Sequence, residues 1–219
     1  MIGLYILLFP LILFIHFKLA EKIICVPPNV FAHVFAPPGT GKTTLAAKLV
    51  RDSFINHGTK KVYSNVPIRG AYKLDFSDLG KHEYRDCVFL IDEAGIELSN
   101  RNWHTNLDDD QIYVLKKHRH YNIDIYVFSQ HYNDVDNKLR ELTTRILFLK
   151  KSKLPFFVYA FSVYKTMELI NGQFVEYFEV DKANSFRFFI ANTWAYFNSF
   201  DTSYLPKPTK ESQYIQTDL

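Results

Sequence analysis

Apolar and polar positions alternate along this chain in three distinct rhythms. Residues 2–17 (IGLYILLFPLILFIHF) carry no ionised side chain at neutral pH, and charge returns only at Lys18, Glu21 and Lys22. From residue 29 onward, short blocks of strand formers alternate with stretches whose apolar residues recur at helical spacing. Residues 29–36 (NVFAHVFA) lead into Leu45, Ala46, Leu49 and Val50, while 87–91 (CVFLI) and 123–128 (IDIYVF) are compact apolar runs of the kind covered on both faces in a parallel sheet. After residue 151 the pattern changes again, to aromatic runs at 156–164 and 174–180 that flank Asn171-Gly172, a hairpin signature.

These rhythms predict an α/β chain: a three-layer domain with a mainly parallel sheet, an aromatic β-hairpin extension and an amino-terminal apolar helix. Strands are expected near residues 30–36, 62–65, 87–91, 123–129 and 145–150, with an amphipathic crossover helix over 107–121. That helix would carry Asp108, Asp109 and Asp110 in its first turn and Lys116, Lys117 and Arg119 near its last. The divisions are 1–22 as a membrane-anchor helix, 27–151 as the main domain, 152–204 as a β-rich extension and 205–219 as a polar, proline-containing tail. Residues 186–200 are interrupted by Arg187, Asn192 and Asn198 and make an unconvincing membrane span.

As a helix, residues 2–17 cover about 24 Å, short of the ~30 Å hydrocarbon core, and Pro10 would kink its middle. A cleaved signal peptide fits poorly, since no basic region precedes the run and Leu19-Ala20-Glu21 is a weak cleavage context. A retained anchor with the following domain cytoplasmic is the expectation, because Lys18 and Lys22 follow the run. The alternative is a terminal helix buried in the fold or in a partner.

Composition narrows the field. At 219 residues and 47% apolar the chain can bury a core but not two full-sized ones, and its 22% charged residues exclude a disordered polymer. Cys25 and Cys87 cannot make a disulfide framework or a zinc finger. A net charge of +3 names no partner.

The chemistry lies at the strand ends. Residues 36–43 (APPGTGKT) sit between a predicted strand and a predicted helix and follow the P-loop pattern, with Ala36 in place of its first glycine. Gly39 and Gly41 let the backbone amides turn inward as an anion nest backed by the helix dipole, lined by Pro38, Thr40 and Thr44. Lys42 can reach phosphate oxygens, and the Thr43 hydroxyl can take one position on Mg²⁺. Asp92 and Glu93 end an apolar strand some fifty residues later, which suits Asp92 for the Mg²⁺ shell and Glu93 for water activation. Gln130, after the 123–128 run, is a candidate sensor of the terminal phosphate; a helix cap by Ser129 is the plainer alternative. Arg140 and Arg145 stand where ring-forming P-loop ATPases can send an arginine into a neighbour's site, although each equally suits ordinary surface pairing. The cluster at 116–120 (KKHRH) reads more readily as a solvated helix end than as a nucleic-acid contact.

Together, the P-loop at 36–43, Ser64-Asn65-Val66-Pro67 closing a second strand, residues 90–94 (LIDEA), and Phe128-Ser129-Gln130 followed by 135–140 (VDNKLR) resemble the zonula occludens toxin family, which includes the gene I assembly proteins of filamentous phages. The resemblance spans roughly residues 30–150. It implies a virus-encoded ATPase using ATP and Mg²⁺, a homo-oligomer at the host inner membrane. Such a protein drives assembly and extrusion of a filamentous virion, with phage coat and other assembly proteins as partners and single-stranded phage DNA as a further contact. Family members carry their span after the ATPase domain, whereas here the apolar run precedes it. A DNA-packaging or translocating ATPase of another virus or plasmid, and a nucleotide-bound scaffold without turnover, are the rival readings.

Overall fold

The computed structural model describes residues 28–57, 60–75, 78–93, 109–152, 157–170 and 173–189, together with Pro10 and Phe14. Apart from Pro10 and Phe14, the anchor expected at 1–22 lies outside the described residues, as do the Asn171-Gly172 turn, the start of the crossover helix at 107–108 and the tail at 205–219. Among the described residues, no helix is long and apolar enough to cross a membrane.

Strand β1 (Phe31–Phe35) is followed by α1 (Lys42–His57), β2 (Lys61–Ser64), β3 (Tyr72–Lys73), β4 (Cys87–Ile91), α2 (Asp109–Lys116), β5 (Asp124–Ser129), α3 (Asn137–Leu142), β6 (Arg145–Lys151), β7 (Phe157–Ile170) and β8 (Gln173–Phe189). All eight strands form one sheet in the order β3-β2-β4-β5-β1-β6-β7-β8. The first six are mutually parallel, and β7 and β8 add antiparallel at one edge.

Strand alternation splits the core in two. Ala32 and Val34 of β1, Val88 and Leu90 of β4, and Tyr126 and Phe128 of β5 pack with Leu45, Ala46, Leu49 and Val50 of α1. On the other face, Phe31, Phe89, Ile91, Ile125 and Val127 pack with Leu115 of α2 and Leu139 of α3. Helices on both faces of a central sheet make the three layers that apolar runs such as CVFLI require, because each side of such a strand must be covered.

Two elements depart from expectation. The regular crossover helix ends at Lys116, not near 121. The His118 ring Nδ1 lies 2.9 Å from the Leu115 carbonyl and occupies an acceptor that a continuing helix would use. The chain then closes in tight turns to Asn122, which adopts φ 55°, while Ile123 N–H donates to the His118 carbonyl at 2.9 Å. This is a Schellman-type cap with asparagine in the left-handed position. The second departure is β3, a two-residue strand with too little length to show alternation.

Candidate phosphate and metal site

The site lies beyond the carboxyl ends of the parallel strands, where helix amino termini face the edge of the sheet. Between β1 and α1, Gly39 and Gly41 adopt φ 69° and 109°, a region that glycine occupies at no steric cost. A Cβ built on Gly39 would meet nothing within 4 Å, so the space above the loop is open. Ala36, where the motif expects glycine, is fully buried in the core and is not among the positive-φ residues, so a methyl group is tolerated there. Thr40 Oγ1 donates to the Pro37 carbonyl at 2.8 Å and ties the loop together. The first intrahelical bond of α1 is made by Leu45 N–H to the Gly41 carbonyl at 3.0 Å, so the amides of Lys42, Thr43 and Thr44 precede the helical ladder. Lys42 Nζ donates to the Ala36 carbonyl at 2.8 Å, folded over its own loop.

Strand β5 separates β1 from β4, so the acidic strand stands two spacings, about 10 Å, from the P-loop strand. Thr43, at the start of α1, bridges that gap, its hydroxyl 3.4 Å from Asp92 Oδ2. Burial is the main force on Asp92 and pushes its carboxyl above the usual range, with Glu93 adding to it; the Glu93 N–H, Lys42 and Thr43 pull the other way. Lys42 is held below the ordinary lysine value by burial, partly offset by Asp92 and Glu93. A buried carboxylate and a desolvated ammonium, each disfavoured in its charged form, suit a site completed by a divalent cation and a polyanion. The oxygen donors Thr43 and Asp92 suit Mg²⁺.

The end of β4 is held from the side. The Asn65 amide, just beyond β2, accepts from Asp92 N–H at 2.7 Å through Oδ1 and donates through Nδ2 to the Asp92 carbonyl at 2.9 Å. Both backbone groups of Asp92 are thus gripped by one side chain. The next residue, Glu93, is exposed and adopts φ 49°, while its N–H donates to Asp92 Oδ1 at 2.9 Å. A glutamate in the left-handed region costs about 1 kcal/mol, strain that a surrounding network must sustain.

Gln130 is exposed at the end of β5, between the P-loop strand and the acidic strand. Ahead of it, Ser129 Oγ donates to the His131 carbonyl at 2.7 Å and lies 2.8 Å from His33 Nε2. The His33 ring stacks on Tyr132 at 5.1 Å, and the Arg140 guanidinium sits over the other partner of that stack, 5.1 Å from the Tyr132 centroid. Burial, reinforced by Arg140, drives the His33 pKa down to about 4. Arg140 also donates to Asn133 Oδ1 at 2.7 Å. Arg145 starts β6 opposite Ala32, at the end of the sheet away from the P-loop, and donates to the Asn184 carbonyl at 2.6 Å. There it lines a cavity of about 690 Å³ with Arg119, Lys165 and Asp181. The chain therefore gathers Lys42, Thr43, Asp92 and Glu93 at one place, sets Gln130 beside them, and holds Arg145 apart.

Of the residues in the Asn65 grip and the His33–Tyr132–Arg140 stack, the sequence motifs single out Arg140 alone as a site residue, and for a different role. Asn65 has a signal in the Ser64-Asn65-Val66-Pro67 element that ends β2, but nothing there tells which backbone it holds. A histidine within the apolar strand run at 29–36 is the further trace of the stack.

Residues 73–183, just over half of the chain, match the model of the zonular occludens toxin (Zot) family. Among solved structures, the fold is similar to the N-terminal domain of zonular occludens toxin from Neisseria meningitidis, at 16% identity and TM-score 0.50, over 72% of this chain and 97% of that one. A looser likeness, at 11% identity and TM-score 0.47, is to the genome packaging NTPase of Sulfolobus turreted icosahedral virus 2 in complex with sulfate, over 72% of this chain and 98% of that one. Among curated proteins none matches the chain.

Proposed function

The chain belongs to the zonular occludens toxin family, and on that premise we propose that it is a membrane-associated ATPase that uses ATP hydrolysis to drive assembly and extrusion of a filamentous virion through the host inner membrane. One observation carries the enzymatic part. Thr43 of the P-loop helix meets Asp92 of the acidic strand at 3.4 Å, with the Lys42 charge coupled to both Asp92 and Glu93. A phosphate nest, a metal-ligand pair and a base candidate would then serve one site.

The residues divide the work. Amides of the loop from Gly39 and of the first turn of α1 bind the triphosphate, and Lys42 exchanges its own loop carbonyls for phosphate oxygens. Thr43 and Asp92 would hold Mg²⁺, which supplies charge neutralisation on the phosphates when bound. Glu93, on the exposed turn after β4, accepts a proton from the attacking water, and Gln130 hydrogen-bonds the terminal phosphate group. In a homo-oligomer, Arg140 or Arg145 of a neighbouring copy would stabilise charge developing in the transition state. The apolar run at 2–17 supports inner-membrane attachment with the ATPase domain cytoplasmic; coat proteins, other assembly proteins and single-stranded phage DNA are the partners this activity requires.

The test is turnover against binding. Glu93→Gln should retain ATP and lose hydrolysis by at least about a hundredfold. Equal hydrolysis by the variant and the parent would leave only a nucleotide-bound scaffold.

A further inference from the structure

Among the described residues, nine of the eleven exposed large apolar side chains lie between Tyr164 and Val180, in the distal half of the β7–β8 hairpin. That half is rigidly rooted. Phe178 packs against Tyr132 at 5.0 Å and Phe35 at 5.6 Å. At the elbow behind it, the Asp181 carboxylate accepts from Ala183 N–H at 3.0 Å and from the Asn184 side chain at 2.7 Å. The exposure therefore belongs to an ordered element.

The register sorts the faces. Leu169 pairs with Phe174 and shares its face with Met167, while Glu168 pairs with Val175 and shares its face with Ile170. Apolar side chains thus project from both faces of the tip, and Phe174 is 76% and Met167 65% exposed. Residues 169–175 carry no charge, and charge resumes on both strands directly behind them, at Glu168 and at Glu176, which pairs with Lys165 at 2.7 Å. At about 3.4 Å per residue the described part of that tip, Leu169 and Ile170 against Gln173 and Phe174, rises roughly 7 Å beyond Glu168.

A bilayer surrounds such a tip on both faces and stops at the first charged level, the pattern that the apolar exposure on both faces and the flanking Glu168 and Glu176 present. We propose that this tip inserts into a lipid bilayer to the depth of the headgroup and acyl-chain boundary, the ~5–10 Å reached by interfacial elements. Two further observations favour lipid. Pro28 and Asn29, where the segment containing the apolar run of residues 2–17 joins the fold, line the same cavity as Tyr164 and Lys165 at the hairpin's base. Arg119 and Lys165 line that cavity, where Arg145 already faces Asp181, and suit anionic headgroups. The inference deepens the membrane-associated reading above and is independent of the nucleotide chemistry.

The test uses the full chain with Cys25→Ser, reconstituted with vesicles of phosphatidylethanolamine and phosphatidylglycerol; Cys87 is buried. An environment-sensitive fluorophore is placed at Phe174→Cys, at Leu169→Cys, and at Lys61→Cys on the far side of the sheet. On vesicle-bound protein, the labels at 169 and 174 should be quenched several-fold by lipids carrying a shallow nitroxide and shielded from iodide, with the Lys61→Cys label showing the reverse. Iodide quenching at 174 equal to that at 61 would overturn the inference while leaving the amino-terminal attachment intact. Shielding from both quenchers, with disulfide cross-linking between copies through Phe174→Cys, would overturn it in favour of a second copy. Absence of any vesicle binding would overturn this inference and the membrane reading together.

Discussion

Replacing Asn65 by alanine removes the one side chain that holds both backbone groups of Asp92. Two hydrogen bonds disappear, at 2.7 and 2.9 Å, and a donor and an acceptor on a residue only 8% exposed lose their partner. Each such bond contributes about 1 kcal/mol net, and a stranded buried group costs about 1–3 kcal/mol, so a loss of roughly 2–4 kcal/mol is expected. Urea unfolding should show a lower midpoint at unchanged slope. The functional consequence is larger in kind, because released tension at the end of β4 lets Asp92 and the left-handed Glu93 leave their positions. Hydrolysis at saturating ATP should demand several-fold more Mg²⁺. Asn65→Asp, which keeps the acceptor for Asp92 N–H but turns a carboxylate oxygen instead of a donor toward the Asp92 carbonyl, should recover only part of the stability. If Asn65→Ala unfolded within about 0.5 kcal/mol of the parent and hydrolysed ATP with the same Mg²⁺ dependence, the grip would be incidental and the reasoning refuted.

Other outcomes follow from single groups. His33 titrates near 4 in the fold against 6.5 ordinarily, so the unfolded chain binds more protons between those values and stability falls as pH drops from about 6.5 to 4, by about 3 kcal/mol. His33→Gln should flatten that part of the stability profile measured by urea unfolding; an unchanged slope would mean the ring is not held neutral. Gly80 adopts φ +89°, and a Cβ there would stand 2.7 Å from the Asp110 Cβ, so Gly80→Ala should destabilise by about 2–4 kcal/mol in the same assay. Gly39 has open space but φ +69°, so Gly39→Ala should cost only about 1 kcal/mol of stability while weakening nucleotide binding far more. Similar behaviour of the two glycine variants would contradict the assignment of Gly39 to the phosphate nest.

Much of the framework was legible because its signals are local. The strand–loop–helix order around residues 36–43 is a contiguous pattern, and CVFLI at β4 is uninterrupted because both of its faces are covered by helices. The hairpin announced itself through aromatic runs around Asn171-Gly172, although β8 runs on to Phe189 because partners on β7, not its own composition, sustain it. What escaped is long-range or too short. The end of α2 depends on where the His118 ring falls, and β3 has only two residues. Asn65 and Asp92 are 27 positions apart and His33 and Ser129 are 96 apart, so their partnership exists only once the sheet order is known. Asn65 follows the end of β2 beside β4, and that adjacency converts an ordinary asparagine into a support for the end of the acidic strand.

The central claim is that Lys42, Thr43, Asp92 and Glu93 serve one magnesium–triphosphate pocket. Isothermal titration of the full chain with ATP, with and without Mg²⁺, tests it most directly when the parent is compared with Lys42→Ala and Asp92→Asn. The account predicts Mg²⁺-enhanced binding in the parent, loss of binding in Lys42→Ala, and residual binding that no longer responds to Mg²⁺ in Asp92→Asn. Binding in Lys42→Ala indistinguishable from the parent, or an undiminished Mg²⁺ response in Asp92→Asn, would contradict it.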